Sequence, residues 1–278
     1  MHLRVLTLNV WNTEGDPRRF DLVTRELRRI DPDLVALQEV VHTPRHNQLE
    51  VLLNGTQLHR THQAQIMTTV PPGADRYGGS AIATRWPHRI VEVLDLRLVD
   101  AVDVPWCTLA AVVQLPEVGD LLFIATTTAW RLDAESAPER QMMALADLDA
   151  RHRRVLPTII AGDFNAAPDA SSIRFFAGLQ SLGGRSVHYH DAWAVAGKGP
   201  GHTWTSDNPN ANSQIDKIIR QPNHRRRIDY IFVGSWHAHP RAQCSVQACK
   251  LAFDRPRKGI WPSDHFGVVA DLDVAKDA

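Results

Sequence analysis

The sequence predicts an α/β fold in which two packed β-sheets are covered by helices on their outer faces. Three observations lead there. Apolar runs of strand length alternate with amphipathic helical stretches from end to end. The 278 residues are 44% hydrophobic and 22% charged, which suits a globule with a sizeable core. No internal repeat or low-complexity linker divides them, so residues 1–278 are expected to form a single domain.

Leu3–Leu8 reads as a buried strand. Asp16-Pro17 offers an N-cap followed by proline at the first helical position. Phe20, Val23, Leu27 and Ile30 then set an apolar stripe on a helix whose other face carries arginines. Leu34–Leu37 is a short buried strand ending in Gln38-Glu39, and Asn47–Asn54 is a helix closed by Gly55. From residue 80 the pattern is strand-rich, over Ser80–Thr84, Ile90–Leu94, Cys107–Leu115 and Leu121–Thr126. Ser136-Ala-Pro-Glu139 has the form of a capping box, opening a helix with Met142, Leu145 and Leu148 on its core face. Thr158–Ala161, Arg227–Val233 and Gly267–Leu272 are later strands, and Ser171–Gly178 is a short helix. Residues 183–223 are polar and rich in Gly, Pro and Asn, which predicts a functional or mobile loop region.

Composition narrows the function classes. No apolar run approaches the roughly 20 residues that span a bilayer, and no amphipathic insertion segment is evident, so membrane insertion is not expected. The N-terminal MHLRVLTLNVW reads as a first strand and not as a signal peptide. Cys107, Cys244 and Cys249 form no C-x-x-C pair, which fits a reducing, cytoplasmic setting. The 31 basic and 31 acidic residues cancel, whereas a protein that grips long nucleic acid shows a basic face. Local basic clusters at Arg151–Arg154, His224–Arg227 and Arg255–Lys258 read equally as solvated surface or as phosphate contacts. The oligomeric state is open, with a monomer favoured.

Polar clusters follow four of the strands: Leu8-Asn9-Val10-Trp11-Asn12, Gln38-Glu39, Gly162-Asp163-Phe164-Asn165 and Ser263-Asp264-His265-Phe266. Strand ends of α/β folds face a common crevice. Each cluster alone is more often a turn or a helix cap. Converging, their carboxylates and carboxamides make a hard oxygen site suited to Mg²⁺ or Mn²⁺. His265 adds an imidazole for a phosphoryl oxygen.

These segments, together with YGGSAIATRWP at 77–87, IIAGDFNAAPD at 159–169, RRIDYIFV at 226–233 and WPSDHFGVVADL at 261–272, resemble the endonuclease/exonuclease/phosphatase superfamily. The resemblance covers nearly the whole chain. It implies a four-layer αββα sandwich of two mixed β-sheets flanked by helices. It also implies Glu39 as main metal ligand, with Asn9 close to it and Asp264 in the metal-proximal acidic group. Asp163 would orient or deprotonate the attacking water, Asn165 would hold the phosphate, and Asp229 would steady His265 against a non-bridging oxygen.

One position departs from the family pattern. A histidine common in relatives after the middle strand is matched here by threonine, most closely Thr127 in IATTTAW. Threonine donates a hydrogen bond but cannot act as a cation or general acid. His202 in the long loop offers an imidazole, though a histidine without a role is the commoner case. Arg76, Tyr77, Arg131 and Trp204 are candidate substrate contacts. Trp11 and Trp130 could stack on a ring, whereas Trp193 reads as core packing.

The expected activity is a Mg²⁺- or Mn²⁺-dependent phosphoesterase that hydrolyses a phosphodiester or phosphomonoester by in-line attack of water. A nucleic acid and a small phosphorylated metabolite are rival substrates. The neutral balance and Thr127 lean towards a small substrate or a selective nuclease. The alternative is the same fold with altered chemistry, using a metal as Lewis acid or binding without hydrolysis.

Overall fold

The computed structural model describes residues 1–99 and 105–276. Strand β1 (His2–Asn9), helix α1 (Arg19–Ile30) and strand β2 (Leu34–Val40) form a βαβ unit whose strands pair in parallel. A small hairpin, β3 (His42–Thr43) and β4 (His46–Asn47), leads to α2 (Gln48–Leu52), β5 (His59–His62), α3 (Ala74–Tyr77) and β6 (Gly79–Thr84). Next come β7 (His88–Leu94), β8 (Thr108–Leu115), β9 (Gly119–Thr127), α4 (Ser136–His152) and β10 (Ile159–Asp163). The chain continues through α5 (Ser171–Phe176), β11 (Tyr189–Asp191), α6 (Ala192–Ala196), β12 (Trp204–Thr205), α7 (Pro209–Ile218) and β13 (Arg225–Arg226). It closes with β14 (Asp229–Gly234), β15 (Ala242–Ala252) and β16 (Gly267–Lys276).

Two mixed sheets carry the architecture, in the orders β15-β16-β1-β2-β6-β5 and β11-β14-β10-β9-β8-β7. Each has one parallel pair, β1–β2 and β9–β10, bridged by α1 and α4; the other pairs are antiparallel. Alternation along the strands sorts their side chains between two faces. Leu3, Val5, Leu34 and Ala36 meet Leu121, Phe123, Ala125, Ile159 and Ala161 between the sheets. The intervening residues face outward. Leu6, Leu8, Val35 and Leu37 are covered by α1 and α2 through Val23, Leu27, Leu49 and Leu52. Leu122, Ile124 and Ile160 are covered by α4 and α5 through Met142, Leu145, Phe175 and Phe176. The result is the four-layer αββα sandwich.

Several local expectations need correction. Asp16 does not cap α1: its carboxylate accepts from the backbone and side chain of Arg18, so Asp16-Pro17 form a turn and the helix starts at Arg19. Nor are all the helix's arginines on its solvent face, since Arg19 is completely buried. The capping box at Ser136 is absent. Glu135 holds the cap position without a side-chain bond, and its carboxylate accepts from the Ser172 N–H instead. The presumed loop contains α7, started by Asn208 accepting from Asn210 N–H, with proline at its first turn. Strands β5 and β15 also lay outside the expected set. The basic clusters are largely neutralised: Arg151 and His152 pair with Glu92, Arg153 with Asp149, Arg225 with Asp207, Arg227 with Asp191 and Arg257 with Glu26.

Candidate active site

Asn9, Glu39, Asp163 and Asn165 lie at or just beyond the ends of β1, β2 and β10, all at one edge of the sandwich. Across from Asp163 in the ladder stand Asp229 of β14 and Thr127 of β9. Asp264 and His265 arrive from the segment before β16. The two halves come from different sheets and are tied by Asn9, whose Nδ2 donates to Glu39 Oε1 at 3.0 Å and to Asp163 Oδ2 at 3.1 Å.

The Asn9 carboxamide is held in one orientation. Its Oδ1 accepts from the Trp11 N–H at 2.9 Å, so the carboxamide turns its nitrogen towards the carboxylates. Asn9 therefore aims Glu39 and Asp163. A second amide, from Asn12, donates to Glu39 Oε2 at 3.0 Å. The Glu39 backbone sits at φ 59° beside a bulge against β6, and Trp11, Asn12 and Asn165 are also left-handed. Non-glycine residues hold that conformation only where the surroundings over-determine it, as around functional sites. At Gly78 the Cβ of any other residue would lie 2.3 Å from the Glu39 carbonyl carbon, so the YGG motif is fixed by the close passage of the Glu39 backbone.

On the second sheet, His265 Nδ1 is 3.0 Å from Asp229 Oδ2, and its Nε2 faces Asp163 Oδ2 at 3.9 Å. Thr203 Oγ1 accepts from the N–H groups of Ile228 and Asp229, holding the start of β14. Asp163 Oδ1 accepts from Asn165 N–H, while Asn165 Nδ2 donates to the Thr128 carbonyl and its own carbonyl accepts from Arg226. Arg226 was inside the RRIDYIFV motif and Thr203 lies between His202 and Trp204, yet their roles depend on contacts that no spacing reveals.

Above these groups opens a cleft of about 660 Å³. Glu39, Asp163, Asn165, Asp264 and His265 line its floor; Trp11, Tyr77, Trp106, Trp130, Leu132 and Trp204 line its walls. The α7 residues Gln214 and Lys217 form one side, with Arg226 deeper in. Tyr77 and Trp204 are thus on the cleft wall. Arg76, Arg131, Thr127 and His202 are not among the lining residues. Arg76 stacks over the Tyr77 ring, Arg131 pairs with Asp133, and Thr127 is wholly buried with its hydroxyl unpartnered. His202 is partly buried beside Arg225 and Asp207, and Trp193 packs in the core between the sheets.

Burial raises the Glu39 carboxyl to about 7, with the Asp264 charge adding to it, and raises Asp163 to about 7, with Asp229 adding. Asp264 is likewise raised by burial. Burial opposes the charged form of His265 too, yet Asp229, Asp264 and Asp163 outweigh it and hold the imidazole well above its ordinary value. A raised carboxyl carries more protons folded than unfolded, so its contribution falls as pH rises between the two values. A raised histidine contributes stability below its ordinary value and loses it as pH climbs through the folded one. All these groups act in one direction. Burial pushes His62 and His88 down to about 4, which works the other way over the same range, so the test is differential. In EDTA, Glu39→Gln, which removes a raised carboxyl, is expected to gain several degrees in melting temperature relative to wild type between pH 4.5 and about 7. A difference that stays flat over this range would contradict the raised carboxyl.

A fold of two mixed sheets sandwiched between helices, with carboxylates and an imidazole at one edge, defines the deoxyribonuclease I-like class. Residues 6–265 match the endonuclease/exonuclease/phosphatase family, and the chain belongs to that family. No curated protein matches it. Among solved structures, humanized D. rerio TDP2 with 14 mutations is 18% identical at a TM-score of 0.72, covering 98% of this chain and 99% of that one. D. rerio TDP2 complexed with single strand DNA product is 19% identical, also at 0.72, over 98% and 99%. An endonuclease/exonuclease/phosphatase from Bacteroides vulgatus is 18% identical at 0.70, over 99% and 100%. Among the described residues, no helix is long and apolar enough to cross a membrane.

Proposed function

We propose that the chain, acting as one domain, is a divalent-metal-dependent phosphoesterase that cleaves single-stranded nucleic acid. The observation that carries this reading is the buried Asp163, Asp229 and His265 group, whose ligand atoms lie within 4.8 Å of one another, facing Glu39 across the cleft. These oxygen-rich, carboxylate-dense surroundings fit Mg²⁺ or Mn²⁺. Glu39 and Asp264 would hold the ion, which would neutralise phosphate charge when bound.

The chain's own groups account for the rest. Asp229 fixes the His265 Nδ1 proton, leaving Nε2–H to donate to a phosphoryl oxygen. Asp163, aimed by Asn9 and the Asn165 N–H, accepts the proton of an attacking water. Asn165 and Arg226 line the same cleft and would hold the phosphate. A single strand is favoured over a duplex because the walls are aromatic and, apart from His265 at the floor, the lining cations among the described residues are Lys217 and Arg226. The TDP2 complex with single strand DNA product supports this direction. Two phosphate contacts imply a log–log salt slope of only about −1 to −2 for binding, reduced by about 0.7 in Lys217→Ala. Fluorescence titration of a labelled oligonucleotide at several salt concentrations measures it, and a slope beyond about −4 would require a basic surface outside the cleft.

The direct test is turnover of bis(p-nitrophenyl) phosphate, a single-stranded oligonucleotide and plasmid DNA in Mg²⁺, Mn²⁺ and EDTA. Metal-dependent cleavage of the oligonucleotide, abolished by EDTA, is expected. Protein that binds metal yet cleaves none of these would move the substrate to a small phosphorylated metabolite.

A further inference from the structure

Arg19 is fully buried, and no carboxylate of the described residues forms an ion pair with it. All five of its N–H groups instead meet carbonyl oxygens: Glu14 at 2.7 Å, Val10 at 2.6 Å, Trp11 and Asn12 at 2.7 Å, and Pro262 at 3.2 Å. A buried guanidinium is costly to desolvate, so five neutral partners indicate a site shaped around it. The carbonyls belong to two segments. One is the turn after β1, where Trp11 at φ 56° and Asn12 at φ 36° are left-handed; the other precedes Asp264 and His265. The Asn12 carbonyl accepts a second bond from the buried Gln48 side chain. The Asn12 side chain, in turn, is the donor to Glu39 Oε2.

We propose that Arg19 is a positioning residue for the metal-binding carboxylates: by clamping the Trp11-Asn12 turn and Pro262 it sets the Asn12 amide on Glu39 and fixes Asp264 opposite. The inference rests on the reading of Glu39 as a metal ligand. Outer groups that orient ligands are worth about 10–100-fold in metal affinity. Lysine supplies only three donors and no planar fork, so Arg19→Lys keeps the charge but not the clamp.

The test is Mn²⁺ binding, followed by electron paramagnetic resonance of the free ion, on wild type, Asn12→Ala, Arg19→Lys, the double variant and Glu39→Gln. Asn12→Ala and Arg19→Lys are each expected to weaken Mn²⁺ binding about tenfold, and the double variant to be no weaker than the worse single one. Wild-type affinity in folded Arg19→Lys, or losses that multiply in the double variant, would overturn the positioning role. Should Arg19→Lys fail to fold, Gln48→Leu replaces it, since it strips the other donor from the same Asn12 carbonyl; there too, losses that multiply with Asn12→Ala count against the proposal. Glu39→Gln separates the two readings. If it binds Mn²⁺ like wild type, the metal reading itself falls; if it alone loses binding, only the role of Arg19 does.

Discussion

Asp163→Asn is expected to lower turnover of a phosphodiester substrate by about 10³-fold or more, with little change in KM. The carboxamide is isosteric and keeps an acceptor for Asn9, but it cannot take a proton from water. Positioned general bases contribute about 10²–10⁴-fold, and loss of negative charge beside His265 adds to that. His265→Ala removes the proposed donor to the phosphoryl oxygen and is expected to cost about 10²–10³-fold. Asp229→Asn leaves His265 in place but presents an amide to Nδ1, freeing the ring to adopt the wrong tautomer; its loss should approach that of His265→Ala. Single-turnover measurements at saturating Mg²⁺ check all three. An Asp163→Asn enzyme within tenfold of wild type would remove Asp163 as the base.

Gly162→Ala is expected to prevent stable folding. A Cβ at this position would lie 1.9 Å from the Thr126 carbonyl oxygen, which is backbone of the neighbouring parallel strand β9 and has no freedom to swing away. Overpacking a well-filled core costs about 1–3 kcal/mol and more where backbone must move. Here the strand pair that presents Asp163 and Thr127 would have to separate. Yield of soluble protein and thermal melting of whatever remains provide the check, and a variant melting within a few degrees of wild type would contradict the close approach. The glycine of the GDFN motif thus has a packing reason independent of the chemistry one residue on.

The four clusters that compose the site were legible because each adjoins a buried strand and all four occur together in one chain. Asn9, Glu39 and Asp163 come at strand ends, and His265 comes just before β16. Most of the long strands were legible from their apolar runs; β5, whose HRTH carries no such signal, β15, which is interrupted by a bulge, and the short β3, β4, β11, β12 and β13 were not. What escaped notice depends on distant partners. Helix α7 is capped by Asn208, whose amide also donates to the carbonyls of Ser263 and Asp264, so a segment that reads as loop is organised by residues more than fifty positions away. Arg19 looks like any solvent-facing arginine of an amphipathic helix until its carbonyl cage is seen. The direction in which Asn9 points its nitrogen was invisible for the same reason, since the Trp11 N–H decides it. Thr127 illustrates the reverse case: it marks a departure in the motif, but its side chain is sealed away from the cleft wall.

The Asn9 bond to Asp163 joins two sheets whose separation is set elsewhere, by the side chains stacked between them. That interlayer is rich in alanine, with Ala36, Ala111, Ala125, Ala161 and Ala270 among its members. Small residues there hold the sheets close, and each is a place where an added methyl group acts as a shim. Because the proposed catalytic groups are divided between the two plates, such a shim widens the gap they must span. Enzymatic rate therefore becomes a gauge of core thickness: substitutions far from the cleft should register in kinetics before they register in melting temperature.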